Sequence, residues 1–110
     1  MSDDTIQTLR HILPGGQFSV FVTESIADIE ARTGRLSAGL AAGDYAAAAK
    51  EAHDIVSVAG NCGAGMVSAI ARDIERAARA GDLGAAQAFG PAFDAALAEA
   101  LDRLHALSMA

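Results

Sequence analysis

Apolar residues recur at intervals of three, four or seven along almost the whole chain, and no useful length alternates with a period of two. The spacing predicts helices and no sheet. Over residues 17–42, Phe18, Val22, Ile26, Ile29, Leu36 and Leu40 fall on one stripe. Gly34 and Gly39 weaken that helix by about 1 kcal/mol each relative to Ala, so a bend is expected there. Residues 45–62 bring Tyr45, Ala48, Ala52, Ile55, Ala59 and Cys62 together, and residues 65–80 do the same with Met66, Ala69 or Ile70, Ile74 and Ala77. A last helix over 84–108 uses Phe89, Phe93, Leu97, Leu101 and Leu104, with Pro91 in its first turn or at a kink.

Breakers separate these stretches. Leu13-Pro14-Gly15-Gly16 ends a short helix begun near Asp3 or Asp4, because Pro14 disfavours helical geometry at Leu13. Ala42-Gly43-Asp44 and Ala80-Gly81-Asp82 are near-copies: each Gly can take the left-handed conformation that closes one helix, and each Asp can cap the next. A third break lies at Cys62-Gly63-Ala64-Gly65. The expected architecture is all-α, an antiparallel up-and-down four-helix bundle with a short extra N-terminal helix, forming a single domain over 1–110.

Composition narrows the function classes. Of 110 residues, 52% are hydrophobic and 20% charged, enough apolar surface to bury a core. Fourteen acidic side chains against eight basic ones, a net charge of −6, disfavour nucleic acid as a partner. Alanine supplies about a quarter of the chain, with four Phe, one Tyr and no Trp, so helix contacts should be thin. No stretch approaches the roughly 20 apolar residues of a membrane span. The acidic start Met1-Ser2-Asp3-Asp4 lacks the basic region of a signal peptide, and the lone Cys62 fits a reducing compartment, so a cytoplasmic setting is expected.

One polar residue stands out. With Ala52 at the centre of the buried stripe and about 100° per residue, His53 sits about 100° off centre, on the border between core and solvent. Its neighbours on that border, Ala46, Ala49, Ser57 and Gly60, are all small, leaving an imidazole open to close approach by another protein. The plain alternative is a half-exposed amphipathic residue. His11 and His105 read as surface residues, and Cys62 as a packed thiol. No His, Cys or carboxylate pair has zinc spacing, so no metal site is expected, and Ser57 in mid-helix lacks the strained turn of a hydrolase nucleophile.

The stretch Ala52-His53-Asp54-Ile55-Val56-Ser57-Val58-Ala59-Gly60-Asn61-Cys62-Gly63-Ala64 resembles the signature of histidine-containing phosphotransfer (HPt) domains, roughly A-H-x-L-K-G-S-A-x-N-L-G-A. Downstream, Ile74-Glu75-Arg76-Ala77-Ala78-Arg79-Ala80-Gly81-Asp82 is similar to the family's L-E-x-A-A-R-x-G-D, and Leu40-Ala41-Ala42-Gly43-Asp44 fits the turn before its active helix. The resemblance spans about residues 18 to 105. Val56 and Ser57 depart from it, standing where the family often has Lys and Gly. Lys50, one turn before His53, offers a substitute charge or is simply a solvated surface residue.

The resemblance implies that His53 accepts a phosphoryl group from one receiver-domain aspartate and passes it to another. It implies no cofactor of the chain's own and no ATP site, the receiver supplying Mg²⁺ and a Lys. Receiver domains of response regulators or hybrid kinases are the implied partners. They would dock on a face formed by the 17–42 and 45–62 helices, with the 65–80 helix behind or beside it. Ala46, Ala49, Lys50, Val56, Ser57 and Gly60 are the contact candidates. Arg72, Arg76 and Arg79 form a stripe that either steers an acidic partner or pairs within its helix, as Asp73–Arg76 and Glu75–Arg79. A monomer is expected. Two rival readings are a non-catalytic adaptor that binds receivers without phosphotransfer, which the lost Lys favours, and an unrelated bundle that dimerises.

Overall fold

Residues 16–108 are described by the computed structural model, and these follow one another through five helices. They are α1 (Gly16–Ala42), α2 (Tyr45–Asn61), α3 (Gly65–Arg79), α4 (Leu83–Ala88) and α5 (Gly90–Ser108). The four long helices make the antiparallel up-and-down bundle, and α4 is a six-residue link. At about 1.5 Å per residue, 27-residue α1 accounts for most of the bundle's 44 Å long axis. The expected short N-terminal helix, with Pro14 and His11, falls outside the described residues.

The turns follow from their glycines and aspartates. Gly43, Gly63 and Gly81 have φ of 71°, 80° and 72°, the left-handed region that L side chains rarely adopt. Each closes a helix with paired backbone bonds: Asp44 N–H donates to Gly39 O at 2.9 Å, Ala64 to Ala59 at 2.8 Å and Asp82 to Ala77 at 2.9 Å. Asp44 and Asp82 then accept from Ala47 N–H at 3.1 Å and Ala85 N–H at 3.0 Å, capping α2 and α4. Helix reversal here is local chemistry.

The inward stripe of α1 (Phe18, Val22, Ile26, Ile29, Leu36) is buried, with Leu40 half-buried against it. On α2, Ala48, Ala52, Ile55, Ala59 and Cys62 are buried, but Tyr45 at the first turn is exposed. Three expectations need correction, Tyr45 being the first. In α3 the buried residues are Val67, Ala71, Ile74 and Ala78, while Met66 is 59% exposed and Ala69 is exposed. Of the expected stripe, Ile74 is buried and Ile70 and Ala77 are half-buried against the core, so the stripe is rotated toward Val67, Ala71 and Ala78 and away from Met66. The expected 84–108 helix is two helices, broken at Phe89. Pro91 lacks the N–H that would continue the ladder, and it lies in the first turn of α5.

Helix α2 packs most closely on α3 and on α1. α1 runs unbroken through Gly34 and Gly39, which have different surroundings. A Cβ on exposed Gly34 would meet nothing within 4 Å, whereas one on buried Gly39 would lie 3.2 Å from Ala48 N on α2. Gly34→Ala is therefore expected to raise unfolding stability by about 0.5–1 kcal/mol, the helix-propensity gain alone. Gly39→Ala gives no such gain, because its methyl must push back the α2 backbone. Urea unfolding of the two variants checks the contrast.

Candidate functional site

Because α2 lies between α1 and α3, its two flanks meet different neighbours. On a wheel centred on Ala52, Glu51 and Asp54 lie toward one flank. His53, Ala46, Ala49 and Gly60 lie toward the other. Toward α1, Arg35 Nε donates to buried Glu51 at 2.8 Å, and Arg32 Nη1 lies 3.0 Å from Asp54 and 3.6 Å from Glu51. Toward α3, His53 Nδ1 lies 3.1 Å from Glu75 Oε2. Arg79 Nε and Nη2 each lie 2.8 Å from that same oxygen.

This second cluster defines the chemistry of His53. An ionised Glu75 carboxylate only accepts hydrogen bonds, so in the neutral imidazole this contact favours the tautomer with the hydrogen on Nδ1 and a lone pair on Nε2. The His53 side chain is 61% exposed and that of Glu75 only 15%. The carboxylate is thus a fixed, sheltered anchor, and the imidazole is the accessible group. Side chains on a helix lean toward its N-terminus, which brings the ring over the preceding turn. There an open groove of about 500 Å³ is lined by Tyr45, Ala46, Ala49, Lys50, His53, Ala78 and Arg79.

The groove gathers Ala46, Ala49 and Lys50 around His53 and leaves out Val56, Ser57 and Gly60. Ala46 and Lys50 are exposed, but Ala49 is buried and forms floor rather than open surface. Val56 is half-buried against the core, its carbonyl accepting from Ser68 Oγ at 2.8 Å. Ser57 and Gly60 are exposed on the turns that follow. A Cβ on Gly60 would make only an ordinary 3.7 Å contact with Ser68 Oγ, so packing inside the bundle does not require glycine there. The groove lies between α2 and α3, while the docking face was expected on the 17–42 and 45–62 helices with the 65–80 helix behind or beside it. Arg32 and Arg35 hold α1 on the opposite flank of α2.

Glu75 was missed as a partner of His53. Its pairing with Arg79 was legible from the i,i+4 spacing, and Asp73–Arg76 is present as well, at 3.2 Å. Its contact with a residue 22 positions away depends on how α3 is rotated. Cys62 is a packed thiol: it donates to Ala59 O at 3.4 Å, and burial pushes its pKa up, away from the reactive thiolate. His105 is exposed. No described helix is long and apolar enough to cross a membrane.

A bundle of this topology with an exposed, carboxylate-anchored histidine on its second long helix defines a class of protein. The model of the Hpt domain matches residues 20–107, and the chain belongs to that family of histidine-containing phosphotransfer domains. The crystal structure of histidine-containing phosphotransfer protein B (HptB) from Pseudomonas aeruginosa PAO1 has the same fold. The match has a TM-score of 0.93 and 24% identity, over 99% of this chain and 94% of that one. A comparison with curated protein sequences gives no match.

The Glu75 contact predicts a spectroscopic signature. In ¹⁵N NMR of the neutral imidazole, His53 should show its hydrogen on Nδ1 and an unprotonated Nε2. Glu75→Ala should lose that preference, whereas Glu75→Gln, which keeps an acceptor oxygen, should retain most of it. A tautomer unchanged in Glu75→Ala would show that the carboxylate does not set it.

Proposed function

We propose that this chain is a phosphotransfer intermediate of a multistep two-component phosphorelay, accepting a phosphoryl group on His53 from a receiver-domain aspartate and delivering it to another. The observation that carries this reading is the His53–Glu75 contact beside the open groove, in a chain of the Hpt family. An imidazole with one nitrogen anchored and the other exposed is a nucleophile held ready for in-line attack.

The transfer balances simply. The Nε2 lone pair attacks the phosphorus of the aspartyl phosphate, the Nε2–P bond forms, and the P–O bond breaks with the aspartate carboxylate as leaving group. The Nδ1 hydrogen stays in its bond to Glu75, which offsets the positive charge that develops on the ring. Transfer to the second receiver is the reverse with a different aspartate. In this reading the chain binds no ATP, and the Mg²⁺ that phosphoryl transfer uses belongs to the receiver. Small side chains at Ala46 and Ala49 leave room for the receiver's aspartate to reach the imidazole. The protein acts as a monomer in the cytoplasm.

Incubation with a panel of phosphorylated receivers tests the proposal. Wild-type protein should gain an acid-labile, alkali-stable label, and His53→Gln should fall to background. Label retained in His53→Gln would sink the assignment of His53. Receiver binding with no label in either form would instead identify a non-catalytic helical adaptor.

A further inference from the structure

We infer that Lys50 is the phosphoryl-binding cation of this site, holding the phosphoryl group on His53 from the turn N-terminal to it. The inference rests on His53 being the phosphoacceptor. A phosphoryl group adds close to two negative charges. On Nε2 it would sit over the groove, with the Glu75 carboxylate behind the ring, in a chain of net charge −6. A nearby cation is needed to offset that charge.

Two cations line the groove, Lys50 and Arg79. Both donor atoms of Arg79 that point at Glu75 are taken up by Oε2 at 2.8 Å. Lys50, the one lysine in the sequence, is exposed on the rim, three residues before His53. On α2 the acids within its reach are already held elsewhere. Asp54, at i+4, is bound by Arg32 at 3.0 Å, and Glu51 by Arg35 at 2.8 Å. The residues one turn back are Ala46 and Ala47. The α1–α2 ion pairs therefore leave Lys50 un-neutralised on the histidine's side of the helix. Its flexible stem and three N–H donors can follow a phosphoryl group that arrives and leaves.

Phosphoramidate as chemical donor tests this without a receiver. The Nε2–P bond forms, the P–N bond breaks and ammonia leaves, while the Nδ1 hydrogen stays with Glu75. Phosphohistidine formation is followed by ³¹P NMR and intact mass. Lys50→Gln should slow labelling about fivefold at low salt, the effect of a single exposed charge. Lys50→Arg should restore most of the rate, and Arg103→Gln, the same change of net charge on α5, should match wild type. Near 1 M salt, where the screening length is about 3 Å, the gap between wild type and Lys50→Gln should close. All variants should unfold at nearly the wild-type temperature. Labelling of Lys50→Gln at the wild-type rate would overturn the inference and leave His53 standing, and so would Lys50→Arg as slow as Lys50→Gln. Wild-type protein that forms no phosphohistidine would overturn the reading of His53 itself.

Discussion

The close approach of α2 to both of its neighbours is the constraint on which the site depends. Ala48, Ala49, Ala52 and Ala59 are all buried on the inner side of α2, with Ile55 as the one large aliphatic residue among them. Alanine contributes little area to a core, but it sets a short distance between helix axes. Gly39 meeting the backbone of Ala48 is the same economy of volume on the α1 side. At that spacing, side chains on the borders of α2 reach across to the next helix. Ala52 is fully buried, so a leucine there would have to displace its neighbours in the core.

The two flanks of α2 use this proximity differently. Toward α1, two arginines meet Glu51 and Asp54, and Glu51 is buried enough that leaving it unpaired would carry a real desolvation cost. Toward α3, the contacts are more exposed, and exposed ion pairs stabilise a fold by at most about 1 kcal/mol. Their role is geometric. Arg79 holds Glu75, and Glu75 holds one nitrogen of His53, so a chain of three side chains fixes the direction in which the other nitrogen faces.

Features written in local spacing were legible in the sequence. The Gly-Asp turns, the stripe of α1, that of α2 apart from Tyr45, and the border position of His53 each depend on a few adjacent residues, and each is found in the fold. What failed was what one helix cannot specify alone. Met66 and Val67 offer two stripes of nearly equal merit on α3, and in the fold Val67 is buried and Met66 exposed. A helical wheel assigns His53 an angle but does not say which neighbour occupies that side, so the groove between α2 and α3 was not foreseen. The His53–Glu75 contact inherits both uncertainties. The similarity of Ile74-Glu75 to the family's motif marked the residue without revealing what it touches.

A histidine that is to accept a phosphoryl group, as proposed for His53, faces opposed demands: it must be held rigidly enough to attack in line, yet stand clear of everything that would block a second protein. Burial would meet the first and defeat the second. Here the rigidity comes from beneath and behind. Ile55 and Ala52, buried in the core, fix the backbone that carries His53, and Glu75 holds the ring through Nδ1. Ala46, Ala49 and Ala78 line the groove with small side chains between Tyr45, Lys50 and Arg79. The alanine content that thins the core is thus the same property that leaves the His53 ring exposed, and one composition serves both the packing of the bundle and access to the imidazole.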